Sequence, residues 1–357
     1  MVFKGLFRRS EALVSIDFGA SAIKLVELDL ANSTPRLANI GMLPVSGEIF
    51  TGNTLSRGEK AADIVSALLE SNGVEERRVV TAMPGPSVFT KKIKMQKMGL
   101  EELASNIQFE AGNFIPHNID AVKIDFHIIG ESGKNQLDIL VIAVKNEIIE
   151  SFVDCVALSG LETAIVDVDY FALQNIFELS YPEHIEDTVA LINVGARYSS
   201  INICRGGESL FTGDIAVGGK AVTEAVETMA GLSSEEAERM KCQDPTNEAV
   251  KLIIEDQVEQ SASEFNRQLS FFWSASGAEE GIDRIYITGG GSLIPGLREQ
   301  LAEKTGLECS VLDPLKGIDA GESFDEALLR ELGPRMAIGL GMSLRQPADK
   351  ITPEFIE

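Results

Sequence analysis

The chain carries the same short strand–turn–strand pattern twice, and this repeat limits its possible folds more than any other feature. Residues 16–20 are IDFGA and residues 192–196 are INVGA. Each copy lies in a pair of strand-like runs joined by a glycine turn, at 13–28 and at 189–204, which is typical of a hairpin. Chance similarity is the alternative for so short a match. The shared hairpin setting favours duplication and predicts two similar halves of one molecule.

The segment between the two copies has a pattern of its own. After a short strand at 78–82, the cluster MPGP at 83–86 predicts a subdomain boundary. The order of elements that follows predicts a small α+β insertion with its helices on one face of a sheet. These elements are a strand at 88–95, a helix at 100–113, strands at 122–129 and 137–144, and a helix at 146–159.

The second half of the chain also alternates between strand and helix patterns. Glu235 and Glu236 follow the pair Ser233-Ser234 at one predicted helix start, which is favourable N-terminal chemistry. The predicted elements are a strand at 210–217, helices at 221–229, 233–241 and 249–275, a strand at 282–288, a helix from Pro295 to Lys304, and a helix at 333–345.

Charge and cysteine content restrict the partners that the chain can bind. Its 357 residues carry a formal net charge of -24, which repels phosphate backbones and predicts no nucleic-acid binding. Any nucleotide must therefore be held locally, by backbone N–H groups and a metal ion. The cysteines form no CxxC pair, which argues against zinc and disulfides and fits a reducing cytosol. They are Cys155, Cys204, Cys242 and Cys309.

The sequence predicts no direct membrane insertion. It contains no run of eighteen apolar residues, which is the length that a spanning helix requires. The basic segment 1–10 lacks the long apolar stretch and cleavage site of a signal peptide. We favour a frayed arm for this segment, with a weak interfacial anchor as the alternative.

The two glycine turns offer a way to bind phosphate. The GGKA sequence at 218–221 lacks the Walker A spacing, and no GxGxxG follows a strand. A tight glycine turn, in contrast, lets backbone N–H groups approach phosphate oxygens. Asp17 precedes the first turn, where a carboxylate can hold Mg²⁺ through water, and Asn193 has the matching place in the second. Plain hairpin glycines are the alternative at each turn taken singly.

Two further patterns are weaker signals by themselves. The sequence YITGGGS at 286–292 places three glycines between an apolar strand and a helix, so a flat ring can lie against the backbone, although a simple turn also explains it. Glu238 and Lys241 are three residues apart on one predicted helix. From spacing alone, we favour an ordinary surface ion pair for these two.

Together these pieces resemble the superfamily of actin, heat-shock chaperones and sugar kinases, and within it the PilM family of type IV pilus assembly proteins. The PilM resemblance covers nearly the whole chain. The most discriminating segments are Ile115-Pro116, in the predicted insertion, and DPLKGI at 313–318. The other matching stretches are residues 18–27, 109–116, 289–292 and 333–341.

The resemblance implies an α/β fold: an actin-like, two-lobed ATPase fold made of duplicated ribonuclease H-like halves, with an inserted α+β subdomain of the FtsA type. The implied first actin-like subdomain comprises residues 10–85, 165–187 and 333–346, and the insertion comprises residues 86–164. The implied second actin-like subdomain comprises residues 188–225 and 281–332, and a small helical subdomain comprises residues 226–280.

The resemblance also implies that ATP binds with Mg²⁺ between the two halves. Asp17 would contact the metal, and the other implied contacts fall into four groups. They are Gly19, Ala20, Ser21 and Lys24 in the first turn; Asn193, Gly195, Ala196, Gly218 and Gly219 near the second; Glu238 and Lys241 facing ribose and adenine; and Gly290, Gly291 and Ser292 against the adenosine.

Catalysis is expected to be slow or undetectable. Asn193 stands where many actin relatives have Asp, and an amide is neither a base nor a strong Mg²⁺ ligand. Asp167 and Asp169 lie at a junction where superfamily members place a residue that orients a water molecule. Asp169 at the start of a helix is equally consistent with a helix cap. Both interpretations stay open.

The resemblance implies that the chain binds the cytoplasmic N-terminus of PilN, an inner-membrane protein, between the first subdomain and the insertion. It would then be a cytoplasmic protein, peripheral at the inner membrane, in contact with other pilus components there. An authentic ATPase or small-molecule kinase is the enzymatic alternative, and a secretion-system component similar to GspL is another. A chaperone or FtsA itself is disfavoured, because residues 351–357 give neither a further domain nor an amphipathic helix.

Overall fold

The computed structural model describes residues 13–131, 133, 135–275, 281–347 and 349, so the predicted arm at 1–10 and tail at 351–357 lie outside the described residues. The strands are β1 (Val14–Phe18), β2 (Ala22–Asp29), β3 (Arg36–Pro44), β4 (Phe50–Thr51), β5 (Thr54–Leu55), β6 (Arg78–Met83), β7 (Val88–Gln96), β8 (Val122–Glu131), β9 (Gln136–Lys145), β10 (Glu162–Val168), β11 (Val189–Val194), β12 (Ser199–Arg205), β13 (Glu208–Ile215), β14 (Arg284–Thr288) and β15 (Glu308–Val311). The helices are α1 (Gly58–Asn72), α2 (Leu100–Glu110), α3 (Asn146–Leu158), α4 (Asp169–Ser180), α5 (Gly219–Ala230), α6 (Ser234–Gln243), α7 (Lys251–Ala275), α8 (Leu297–Thr305) and α9 (Glu326–Ser343).

Two five-stranded sheets share one strand order. The first is ordered β3-β2-β1-β6-β10 and the second β13-β12-β11-β14-β15. In each sheet, three antiparallel strands joined by hairpins are followed by two parallel strands. The hairpins also close at equivalent places, because Phe18 pairs with Ile23 and Val194 pairs with Ser199. The duplication predicted from the repeat is confirmed.

The two halves pack against each other through an apolar cluster built on α4 and α9. The sequence predicts helices at 170–179 and 333–345; α4 extends the first by one residue at each end, and α9 begins earlier than the second. Leu173 and Phe177 of α4 are buried together with residues of both sheets, such as Val26 and Leu191. Close approach of the two helices depends on Gly341, where a Cβ would lie 1.8 Å from the Ala172 carbonyl oxygen. The lobes therefore meet at a tightly packed helix pair.

The insertion forms a three-stranded antiparallel sheet, ordered β7-β9-β8. Helix α2 covers it, with Leu103 and Ile107 buried against Ile139 and other residues of the sheet. Helix α3 behaves differently, because its Phe152 packs into the core of the first lobe. The prediction that both helices cover the insertion sheet is therefore wrong for α3, whose apolar stripe finds a larger core beside α1.

The distinctive Ile115-Pro116 segment has a packing role in the insertion. Ile115 is buried with Ala111 and Ala143 in a small cluster beside the main core of the sheet.

The strand β10, which belongs to the first large sheet, begins at Glu162, inside the range predicted for the insertion. The subdomain boundaries given by the resemblance stay predictions.

The helices of the second lobe follow the predicted pattern. Ser233 and Glu236 form a capping box at the start of α6, as the residue types at that position indicate.

None of the helices within the described residues combines the length and apolar character that a bilayer-spanning segment needs.

Five elements differ from the sequence prediction. Strands β3, β4, β5 and β15 were not predicted, and α9 begins at Glu326, well before the predicted start at 333. Pro334 lies inside α9, although proline usually marks the first turn of a helix. The true start is capped by Asp325, whose side chain accepts hydrogen bonds from the N–H groups of Ala327 and Leu328.

Candidate functional site

The two glycine turns have the same geometry. The N–H of Gly19 donates to the Ala22 carbonyl at 3.1 Å, and the N–H of Gly195 donates to the Tyr198 carbonyl at 3.1 Å. A Cβ at either glycine would lie 2.7 Å from that carbonyl oxygen. A side chain is therefore excluded at Gly19 and at Gly195 for the same reason.

Each turn leaves backbone donors free. Within the described residues, the N–H groups of Ala20 and Ser21 in the first turn donate to no other group. The same is true, over the described ranges, of Ala196 and Arg197 in the second turn. Consecutive free N–H groups in a turn form an anion-binding concavity. Both turns therefore present donors suited to phosphate.

The start of α5 lies against the second turn. The N–H of Gly219 donates to the Gly195 carbonyl at 2.8 Å, and the N–H of Lys220 donates to the Ala196 carbonyl at 2.9 Å. A Cβ on Gly218 would lie 2.5 Å from the Ala196 carbonyl oxygen, so this approach requires glycine. The structure brings the predicted residues Gly195, Ala196, Gly218 and Gly219 together.

The glycine run after β14 lies beside the same turn. Gly289 has a φ of 83°, and a Cβ there would lie 2.5 Å from Asn193 Oδ1. Gly291 packs on Val194, where a Cβ would lie 2.4 Å from its Cγ1. Gly290 is exposed, with no atom within 4 Å of its Cβ position. The run therefore presents a flat, open stretch of backbone.

Ser292 has an internal role in this run. Its hydroxyl is buried and donates to the Gly289 carbonyl at 2.7 Å. The shape of the glycine run is therefore fixed by its own hydrogen bond, and Ser292 positions the backbone beside Gly290 and Gly291.

The side chain of Lys241 is buried and is hydrogen-bonded to the start of α5. It is only 7% exposed, and its Nζ donates to Gly219 O at 3.1 Å, Thr223 Oγ1 at 2.9 Å and Glu238 Oε2 at 2.6 Å. Burial alone would raise the pKa of Glu238, but the hydrogen bonds from Lys241 and Thr223 lower it below its usual value. The surface-pair interpretation is wrong, because Lys241 holds the start of α5 in place.

The first turn is flanked by an ion pair between Asp17 and Lys24. Their side chains are mostly buried, and Lys24 Nζ lies 2.7 Å from Asp17 Oδ2. Lys24 Nζ also lies 3.1 Å from the Cβ position of Gly19, so this cation is at the turn itself. Over the described ranges, no group of three or more His, Cys, Asp or Glu residues is arranged to hold a metal ion.

Asp167 and Asp169 have different surroundings. Asp167 is bound by Arg345, whose Nε and a terminal nitrogen lie 2.7 and 3.1 Å from its two oxygens. Asp169 instead accepts a hydrogen bond from the N–H of Gly85 at 3.0 Å. The cap interpretation of Asp169 is wrong, because the N-cap residue of α4 is Val168 and no side chain caps the helix. The two carboxyl groups therefore have separate hydrogen-bond partners and share none.

Asp169 lies in an acidic environment between the lobes. It is 5% exposed, and its Oδ2 lies 3.4 Å from the hydroxyl of Tyr198 in the second turn. Burial raises the pKa of Asp169 to about 8, with further contributions from the charges of Asp214 and Asp17, against the hydrogen bond from Gly85. Asp169 is therefore mostly protonated at neutral pH.

Sequence reasoning missed Asp214, Tyr170 and Gly85. The Tyr170 hydroxyl donates to Asp214 Oδ2, while burial raises the pKa of Asp214 to about 6, against that hydrogen bond. The available signal was an acid inside the apolar run at 210–217, since acids are seldom buried without a partner. The partner itself lies 44 residues away along the chain.

Solved structures of known proteins share this architecture. A chain of a PilM-PilN type IV pilus biogenesis complex is 25% identical, with a TM-score of 0.85 over 93% of this chain and 98% of the other. The ethanolamine utilization protein EutJ from Carboxydothermus hydrogenoformans is 15% identical, with a TM-score of 0.58 over 94% and 89% of the two chains. MreB 5 of Spiroplasma citri, solved with AMPPNP, is 10% identical, with a TM-score of 0.51 over 94% and 95%.

The last two similarities show the fold alone, which is the predicted actin-like fold. The family comparison is more specific, because a model of the type IV pilus assembly protein PilM family matches residues 15–347. That match covers both lobes and the insertion, so the chain belongs to the PilM family of type IV pilus assembly proteins.

Proposed function

We propose that this chain is a nucleotide-binding scaffold of type IV pilus assembly. It holds ATP with Mg²⁺ between its lobes and binds the cytoplasmic N-terminus of a PilN-like inner-membrane protein. The observation that carries the nucleotide part is the pair of equivalent turns, one on each lobe, closed by 3.1 Å hydrogen bonds at Gly19 and Gly195. Each turn leaves two adjacent N–H groups free among the described residues.

The phosphates would lie between the two turns and the start of α5. No side chain caps that helix, whose N-cap residue is Gly218. The N–H groups of Gly219 and Lys220 are already bonded to the second turn, so it is the positive end of the helix dipole that favours an anion there. Lys24 adds a cation at the first turn. These groups compensate locally for the negative charge of the whole chain.

The metal would be held mainly by the nucleotide. Asp17 is the acidic side chain at the first turn, and Asn193 offers only an amide at the matching place. Mg²⁺ commonly binds one or two carboxylates together with phosphate oxygens and water. A single Asp at the turn therefore fits Mg-ATP better than a free metal ion.

The base and ribose would lie on the second lobe. The exposed backbone at Gly290 leaves space for a flat ring, and Glu238, which is half exposed, is held in place by Lys241. A carboxylate at this position accepts hydrogen bonds from ribose hydroxyls. Gly291 and Ser292 are buried beneath this surface and support it.

We propose that hydrolysis is slow or absent. Asn193 cannot act as a base. Asp169, with a pKa raised to about 8, is mostly protonated at neutral pH and is a poor proton acceptor in that form. Asp167 is bound by Arg345, which supports a structural role for its carboxylate.

The insertion supplies the surface proposed for the membrane partner. Phe109 on α2 is 82% exposed, and Leu158, which lies beside Gly58 of α1 in the first lobe, is also exposed. Large exposed apolar side chains favour a protein-binding surface, and the similar solved chain comes from a PilM-PilN complex. Such a contact would hold this chain at the cytoplasmic face of the inner membrane, near other pilus components.

The nucleotide proposal is tested by thermal stability with and without Mg-ATP. We expect the melting temperature to rise with Mg-ATP, and phosphate release to stay near background. Gly290→Ala places a methyl group in the open space and should weaken apparent affinity roughly tenfold, about 1.4 kcal/mol. Gly112→Ala is the matched control, because its Cβ would meet only Ile119 at 3.9 Å. Rapid ADP formation that depends on a small substrate, without matching release of phosphate, would instead support a kinase, because the phosphoryl group is then transferred to that substrate.

A further inference from the structure

Asp214 occupies a notch at the point where both lobes and the insertion meet. It lies on β13, the edge strand of the second lobe. Its Oδ2 accepts the hydrogen bond from Tyr170 on α4. Its Oδ1 lies 2.3 Å from the position that a Cβ of Gly85 would take. The carboxylate therefore fills the space of the missing side chain in the turn that leads into the insertion.

Gly85 is held from the other side by the first lobe. Its N–H donates to Asp169 Oδ2 at 3.0 Å, and Tyr198 of the second turn lies 3.4 Å from the same oxygen. The backbone at Gly85 thus lies between the side chains of two aspartic acids, one from each lobe. Any change in the angle between the lobes moves one of these side chains relative to the other.

The contact continues along β13 into the insertion sheet. Thr212 lies two residues before Asp214, so both side chains are on the same face of the strand. The hydroxyl of Thr212 is 2.8 Å from that of Thr90 on β7. The edge strand of the second lobe therefore contacts both the turn that begins the insertion and its first strand.

This arrangement is costly for a static packing contact. Over the described ranges, Asp214 Oδ1 and Asp169 Oδ1 are both buried without a hydrogen-bond partner. Burying a polar atom in this way costs about 1–3 kcal/mol. The closed contact therefore carries an energetic cost, and opening it would let water donate hydrogen bonds to both oxygens. Such a contact is suited to an interface that opens.

We propose that Asp214 is a latch through which the second lobe holds the insertion, so that opening of the interlobe cleft releases the insertion. The latch itself follows from the contacts of Asp214, Tyr170 and Gly85. Its control by nucleotide rests on the proposed function, because only then does Mg-ATP set the angle between the lobes.

The latch is tested by distance measurements between spin labels in the absence of nucleotide. Labels are placed at Ser105→Cys on α2 and Thr228→Cys on α5, both exposed. Cys242→Ser removes the exposed native thiol, and the other three native cysteines are buried. With the latch intact, we expect a narrow distance distribution. Asp214→Ala should broaden it, and Tyr170→Phe should broaden it less.

Two further variants separate the latch from a general loss of folding. Glu303→Ala removes an exposed acid from α8 of the second lobe and should leave the distribution narrow. Gly85→Ala places a methyl group where Asp214 Oδ1 lies and should broaden the distribution as Asp214→Ala does. The double variant should be no broader than either single one, since both break the same contact. An Asp214→Ala distribution as narrow as that of the parent would overturn the latch.

Addition of Mg-AMPPNP tests the link to the cleft. In Asp214→Ala we expect the nucleotide to raise the melting temperature while the label distance stays broad. In the parent chain the melting temperature should rise and the distance distribution should stay narrow. A parent chain without a thermal shift would contradict the proposed nucleotide site and leave the latch result standing. A distribution that becomes as narrow in Asp214→Ala as in the parent chain would overturn the latch.

Discussion

Asp169 is the residue whose protonation most directly affects the stability of the interlobe region. Its pKa is raised from 3.8 to about 8, chiefly by burial. The folded chain therefore holds this proton more tightly than the unfolded chain does. The resulting stabilisation is fully present below the ordinary pKa and is lost as the pH rises through about 8.

Asp169→Asn should therefore flatten the pH dependence of stability. Asn resembles the protonated acid and cannot ionise, so the fall in melting temperature between about pH 5 and about pH 9 should be smaller than in the parent chain. Thermal melts of both proteins across this range provide the measurement. Asp63→Asn, at an exposed site on α1, is the control and should keep the parent slope. Equal slopes for Asp169→Asn and the parent would contradict the raised pKa.

Lys241 supports the second lobe from within. Lys241→Met keeps most of the side-chain length but removes the ammonium group that donates to the Gly219 carbonyl and to Glu238. The single Thr223 hydroxyl is then the remaining side-chain donor to both. We expect a loss of about 1–3 kcal/mol in the free energy of unfolding, together with weaker nucleotide binding, measured by denaturant titration and calorimetry. Lys251→Met removes an exposed lysine of α7 and should change neither. A Lys241→Met chain as stable as the parent would show that this anchor is dispensable.

Some residues of the site could be predicted from the sequence and others could not. Gly19 and Gly195 were predictable because a repeat displays the turns twice. Lys241 was misread because a three-residue spacing is the same for a surface pair and for a buried anchor. Asp214 and Tyr170 could not be paired from sequence, since their contact depends on how the two lobes meet.

Helix α9 shows that packing, rather than local sequence preference, can determine where a helix begins. Its Pro334 sits inside the helix, and the Pro334 carbonyl accepts hydrogen bonds from the Gly289 N–H and the Thr288 hydroxyl, each at 2.8 Å. Those partners belong to the glycine run, so the proline region connects α9 to the candidate site. Local preference indicated a helix start there, and the earlier start at Glu326 depends on the Asp325 cap.

Two glycines of α9 should respond differently to alanine. At Gly341, a Cβ would lie 1.8 Å from the Ala172 carbonyl oxygen, whereas at Gly333 the nearest atom apart from its chain neighbours is 3.6 Å away. Gly341→Ala should therefore cost about 2–3 kcal/mol through overpacking. Gly333→Ala should be close to neutral, because its gain in helix propensity is opposed by the contact between the new Cβ and the ring of Pro334. Denaturant unfolding measures both, and a tolerated Gly341→Ala would contradict the close packing of α4 on α9.

Helix α2 carries the prediction for partner binding. Phe109→Ser removes a side chain that is 82% exposed, so the fold should be unaffected. Affinity for the N-terminal cytoplasmic peptide of a PilN-like protein should fall roughly tenfold or more, as measured by fluorescence anisotropy. Leu252→Ser, at a residue that is 74% exposed on α7 of the other lobe, is the matched control. Equal losses in both variants would exclude a specific contact on α2.

At the scale of the whole molecule, the repeat predicted the two similar lobes and the order of elements predicted the insertion. What it could not give is the packing between them. Helix α3 was assigned to the insertion by its position in the chain, yet its Phe152 completes the first-lobe core. Neighbours in sequence are not always neighbours in the core, and apolar faces pack where most area can be buried.

The duplicated lobes also define the central claim, namely that the two turns bind one Mg-nucleotide together. The most direct test is a crystal structure of the full chain with Mg-AMPPNP. We predict phosphate oxygens within about 3.2 Å of free N–H groups in both turns, at Ala20 or Ser21 and at Ala196 or Arg197. A nucleotide that contacts only one turn, or that binds outside the cleft, would contradict the account.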